Sequence, residues 1–106
     1  MSEDADIKLS FTDAFDDRAA YEAEVRGYMG RAAVEIAGQG KYPVCFYDPV
    51  RLKQDLEEEA KAGTAFIAEP GMIVIPSVTF EYMEAAVRNL FRQGYFQHLR
   101  SVDELG

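Results

Sequence analysis

The stretch Asp16–Ala37, DDRAAYEAEVRGYMGRAAVEIA, decides the fold, because its apolar residues recur at spacings of 3 and 4 on two sides of a helical wheel. At about 100° per residue, Tyr21, Val25, Tyr28, Met29, Ala32 and Ile36 gather on one side. Ala20, Ala23, Gly27, Gly30, Val34 and Ala37 gather on the other. Glu22 and Arg26 line one flank; Glu24, Arg31 and Glu35 line the second. An ordinary surface helix needs only one apolar stripe, so this pattern predicts a helix held between two packed layers. Asp16 and Asp17 favour its start, since carboxylates cap free N–H groups and complement the helix dipole; Thr12 and Asp13 offer an earlier one. Gly38-Gln39-Gly40 supplies the stop.

Before this helix, Ile7, Leu9 and Phe11 alternate with Lys8 and Ser10, the period of a strand with one wet face. After it, Tyr42–Tyr47 is apolar on both faces, Val44 and Phe46 against Cys45 and Tyr47, which predicts an interior strand. Pro43 falls near its start, where a missing N–H is tolerated. Asp48-Pro49 reads as an N-cap followed by proline at the first helical position. The helix that follows runs to Ala62, with Leu52, Leu56 and Ala60 inward, Asp55, Glu57, Glu58 and Glu59 outward, and Gly63 closing it.

Ala65–Glu69, Pro70-Gly71 and Met72–Ile75 read as a hairpin at about 65–75 around a type II turn, with a longer loop or a bulge to correct the twist. Pro76 ends the strand, and Ser77 or Thr79 caps a last helix with Phe80, Met83, Val87, Leu90 and Phe91 on one face. Gly94 terminates that helix, and Tyr95 folds back on Leu90. Ser101–Glu104 has capping-box spacing. The element order is βαβαββα: an α+β domain with a small mixed sheet and three helices. Residues 42–69 would form a parallel crossover, followed by the antiparallel hairpin.

A chain of 106 residues reads as one globular domain, 1–106, with residues 1–6 and about 100–106 frayed. Nineteen acidic against eleven basic residues give a net charge of −8, which repels nucleic acid and anionic membranes and favours basic or neutral partners. Residues 1–24 carry eight acids and two bases with no apolar stretch behind a basic start, so no secretory leader is read there. The best apolar run, Met72–Ile75, is too short to cross a bilayer. Cys45 is the single cysteine, set in an apolar run; a buried thiol in a reducing cytoplasm is expected.

Candidate chemistry is sparse. A nucleophile needs a base within hydrogen-bond reach, and the only histidine, His98, lies beyond the last helix while Cys45 sits in a core strand. Gly38-Gln39-Gly40-Lys41 has the residues of a phosphate loop but the reversed order, helix before and strand after. Glu57, Glu58 and Glu59 occupy consecutive helix positions that point in different directions and cannot converge on one ion. Glu81 and Glu84 fit the dipole at the start of the last helix better than an acid/base pair. No catalytic, cofactor-binding or metal-binding residue is assigned.

Tyr42, Tyr47, Tyr82 and Tyr95 are read as core residues whose hydroxyls reach the rim. The leading functional expectation is a small acidic cytoplasmic protein-interaction module. It would self-associate as a homodimer through Ala20, Ala23, Gly27 and Gly30, or dock a basic partner in the manner of an inhibitor or immunity protein. The alternative is a small-molecule binding domain with a pocket lined by Tyr47, Phe66, Tyr82 and Met83.

Overall fold

The computed structural model describes residues 6–99. Its elements are β1 (Ile7–Phe11), α1 (Asp17–Arg26), β2 (Tyr28–Ile36), β3 (Gly40–Tyr47), α2 (Pro49–Lys61), β4 (Met72–Val74) and α3 (Phe80–Arg92), closed by a 3-10 turn at Tyr95–His98. The strands pair in the order β1-β2-β3-β4. The first two pairings are antiparallel, and β4 runs parallel to β3. This is the α+β class with three helices and a mixed four-stranded sheet that the sequence implies, although the chain order is βαββαβα. The ends expected to fray, and the capping box at Ser101–Glu104, lie outside the described residues except for Asp6, whose carbonyl accepts the Ala37 N–H at 2.9 Å.

The long first helix is corrected. It starts as read, with the Asp16 carboxylate accepting the Ala19 N–H at 2.9 Å, but it ends after ten residues. Gly27 stops it at φ +70°, donating its N–H to the Ala23 carbonyl at 2.9 Å. The second half of the quoted stretch is the strand β2. Met29 stands opposite Phe46 and Ala32 opposite Val44, so three steps on β2 span two on β3, a β-bulge. The bulge explains the helical appearance. Core-facing Met29, Ala32 and Ile36 fall at spacings of 3 and 4, the first set by the bulge and the second by two ordinary strand periods. Gly38-Gln39-Gly40 is therefore no helix stop. The Gln39 N–H reaches the Ile36 carbonyl at 3.0 Å, with Gly38 at φ +80°, and turns β2 into β3.

The hairpin at 65–75 is corrected as well. Its turn exists: the Met72 N–H reaches the Glu69 carbonyl at 3.2 Å, with Pro70 and then Gly71, at φ +81°, between them. Residues 64–69, however, form no strand, and β4 pairs with β3 instead, Cys45 beside Met72, Phe46 beside Ile73 and Tyr47 beside Val74. The Gly71 carbonyl takes the Cys45 N–H at 3.0 Å, and a Cβ on Gly71 would run into the Pro43 carbonyl oxygen. Backbone this close to β3 leaves the turn docked against the sheet, and the parallel crossover runs from β3 through α2 to β4.

One face of the sheet carries the core. Ile7 and Leu9, Ala32, Val34 and Ile36, Tyr42, Val44 and Phe46, and Ile73 form one cluster with Met83 and Val87 of α3, Val78 and Phe96. Thr79 caps α3, its Oγ1 accepting the Tyr82 N–H at 3.2 Å. Ala23 of α1 is buried in the same cluster. Burial of each large apolar side chain contributes about 1.5–3 kcal/mol, and the fold draws its stability from this face. Helix α2 differs: Asp48 caps it, accepting the Arg51 N–H at 2.7 Å, yet none of its residues is fully buried. Leu52 and Leu56 are half-buried, and Ala60, read as inward, is exposed.

Candidate functional site

The second face of the sheet is shaped by side chains of opposite parity. On β3, Cys45 and Tyr47 point away from the core cluster; Tyr28 of β2 pairs with Tyr47, and their rings stand 4.9 Å apart. Helix α2 lies over this corner. Its Arg51 guanidinium sits 5.3 Å from the Tyr28 ring centroid, donates to both oxygens of Asp55 at 3.0 and 3.1 Å, and donates to the Arg26 carbonyl at 3.2 Å. One arginine thereby joins α2 to the end of α1 and to the sheet.

Beside this junction, α2 and residues 64–69 enclose a groove of about 400 Å³ lined by Tyr47, Asp55, Glu58, Glu59, Thr64, Phe66, Ile67, Ala68 and Glu69. Four of these carry carboxylates and none is basic. Tyr47 forms the buried floor, whereas Phe66 is 65% exposed. The Cys45 thiol donates to Glu69 Oε1 at 3.5 Å, anchoring the loop to β3. Burial, then the charge of Glu69 and this hydrogen bond, push the Cys45 thiol from its ordinary 9.0 to about 12. Burial, and the neighbouring Tyr28, Cys45, Glu69 and Asp55, push the Tyr47 hydroxyl from 10.0 to about 12. Tyr28 is raised as well, chiefly by burial. A thiol held protonated is a poor nucleophile.

A larger cleft, about 690 Å³, opens between α1 and the bulged start of β2. Phe11, Phe15, Ala23 and Met29 give it apolar walls, and Asp13, Glu22, Arg26 and Arg31 stand around it. Phe11 and Phe15 stack at 4.3 Å between ring centroids. The charges pair among themselves, Arg31 with Asp13 at 3.3 Å and Arg26 with Glu22 at 3.9 Å.

Tyr47 and Phe66 meet in the acidic groove. Met83 is fully buried on the opposite face of the sheet, and Tyr82 is exposed on α3, so the four do not share one pocket. Ala20, Ala23, Gly27 and Gly30 do not form a continuous helical stripe. Ala23 is in the core, Gly27 is the buried end of α1, and Gly30 lies in the bulge of β2. The His98 turn buries its Phe96 in the core face, away from the face that carries Cys45, and the thiol's hydrogen bond goes to Glu69. Among the described residues, no three His, Cys, Asp or Glu side chains are placed to hold a metal ion. No described helix is long and apolar enough to cross a membrane.

The junction of Tyr28, Arg51 and Asp55 had one local signal, the Arg51–Asp55 spacing of four on a helix. Its partner Tyr28 was hidden by the helical reading of β2, and the approach of Glu69 to Cys45 is a tertiary contact with no local signature. The chain matches no family model, no characterised protein and no solved structure.

Proposed function

We propose that this domain is a protein-interaction module that docks a basic partner through the groove between α2 and residues 64–69. One observation carries the reading: an exposed aromatic, Phe66, shares a groove with Asp55, Glu58, Glu59 and Glu69 and with no lysine or arginine. An apolar centre lined by carboxylates, two of them engaged from outside by Arg51 and Lys61 and two left to the groove, has the composition of an interface that steers a partner electrostatically and then holds it by burial. The net charge of −8 acts in the same direction at longer range. It also opposes bringing two copies together through this surface, so the partner is a different, basic chain, as for an inhibitor of a basic protein. The test is the association rate of a partner captured from the native lysate, measured across a salt series. A steep fall with salt, and a slower rate for a Glu58→Gln/Glu59→Gln variant, support the reading; a rate indifferent to both overturns it.

A second reading, a small ligand bound in the cleft between α1 and β2, is favoured by that cleft's volume of about 690 Å³ and its apolar walls. Ligand-dependent thermal stabilisation that disappears in Ala19→Phe, which fills the cleft from α1, would support it. A compound library giving no stabilisation of the unmodified chain would set it aside.

A further inference from the structure

We infer that the acidic groove is a receptor for an arginine side chain presented by the partner, an inference that rests on the interaction reading above. The fold already contains this chemistry once. Arg51 lies over the Tyr28 ring at 5.3 Å and shares its single Nε–H between both oxygens of Asp55, immediately beside the groove. The groove repeats the components without the cation: aromatic surface from Tyr47 and Phe66, and carboxylates at its sides.

The charge distribution selects the occupant. Asp55 is engaged by Arg51, and Glu58 stands 3.4 Å from Lys61, which assigns Glu59 and Glu69 to an incoming guanidinium. The Cys45 thiol uses only Oε1 of Glu69. An acidic side chain would be repelled, and an aliphatic one would desolvate the surrounding carboxylates without pairing them. Lysine satisfies the charge as a point. Arginine alone also offers a planar, weakly hydrated group that stacks on Phe66 while its forked N–H donors reach carboxylates on two elements, α2 and the 64–69 loop.

The experiment is an amide NMR titration with two capped five-residue peptides, otherwise all glycine, carrying arginine or lysine at the centre. Shifts are expected at Tyr47 and residues 66–69, with the arginine peptide preferred by about fivefold, the scale of a stacked cation. Phe66→Leu, which keeps apolar bulk and removes the ring, should erase that preference and leave the weaker charge-driven binding. Equal binding of the two peptides, a preference that survives Phe66→Leu, shifts confined to the α1 cleft, or no shift with either peptide each overturn the arginine receptor. The broader interaction reading fails by a different result, a partner whose association rate ignores salt, so the two failures are distinguishable.

Discussion

The Gly27 carbonyl accepts the Asp48 backbone N–H at 2.9 Å, and a Cβ on Gly27 would stand 2.5 Å from the Asp48 carboxylate. The residue that ends α1 therefore touches the residue that caps α2, across the Tyr28–Tyr47 pairing. Two independent reasons demand glycine here, its φ of +70° and the space taken by the cap. Gly27→Ala should lose about 2–4 kcal/mol, combining left-handed strain with a displaced cap. Asp48→Ala alone should lose about 1 kcal/mol. Urea melts of the double mutant provide the check: the two losses should sum to more than the double mutant shows, because removing the carboxylate relieves the clash.

Alkaline pH should weaken the fold through two buried groups. The Cys45 thiol and Tyr47 hydroxyl are both raised to about 12 in the folded chain, from 9.0 and 10.0. A raised folded value means the unfolded chain releases its proton first, so the stability is fully present below about pH 9 and is lost as pH rises towards 12. The urea midpoint should hold from neutral pH to about 9 and then decline. Cys45→Ala and Tyr47→Phe should each flatten part of that decline. A midpoint that does not respond to pH in either variant or in the unmodified chain would show that these groups are solvated.

Several elements were legible because their signals are local. Alternation gave Ile7–Phe11, Asp48-Pro49 marked the start of α2, and Thr79 was among the two caps offered for α3. What could not be read locally was the point at which a period of 3.6 becomes one of 2. The bulge between Met29 and Ala32 supplied a helical step inside a strand, and the small residues Ala32 and Ala33 did not favour strand by composition. Gly27 could have been read as a helix end, but Gly30 three residues later made it look like one member of a stripe. The groove is half visible in the sequence: Tyr47 and Phe66 fall together in the expected ligand pocket, there with Tyr82 and Met83, and the glutamates of α2 fall on its outward face. Their meeting depends on residues 64–69 returning to Cys45, which only the tertiary fold supplies.

The two faces of the sheet should differ in their response to truncation. Met83 is fully buried in the core cluster, and Met83→Ala should cost about 2–5 kcal/mol. Leu56, at the same chemical scale, is only half-buried on α2, so Leu56→Ala should cost about 1–2 kcal/mol. Hydrogen exchange adds an independent measure, with α2 amides exchanging well before those of β3. Equal losses for the two variants would mean that α2 is packed as firmly as α3.

The last prediction separates the roles of charge and ring in the groove. Phe66 is 65% exposed, so Phe66→Ala should change folding stability by no more than about 0.5 kcal/mol. Any effect on partner binding then belongs to the interface and not to the fold. Glu59 lies on the exposed side of α2, where its charge acts on the approaching partner before contact and pairs with it afterwards, so Glu59→Gln should slow association, reduce its salt dependence and speed dissociation by less than loss of the ring does. Phe66 acts after contact, when water has been excluded around its ring, and its truncation should speed dissociation by about tenfold or more, as for a central aromatic anchor. Surface plasmon resonance with the captured partner resolves the two rates. If Phe66→Ala left dissociation unchanged while Glu59→Gln still slowed association, the carboxylates would be steering the partner to a contact elsewhere on the domain.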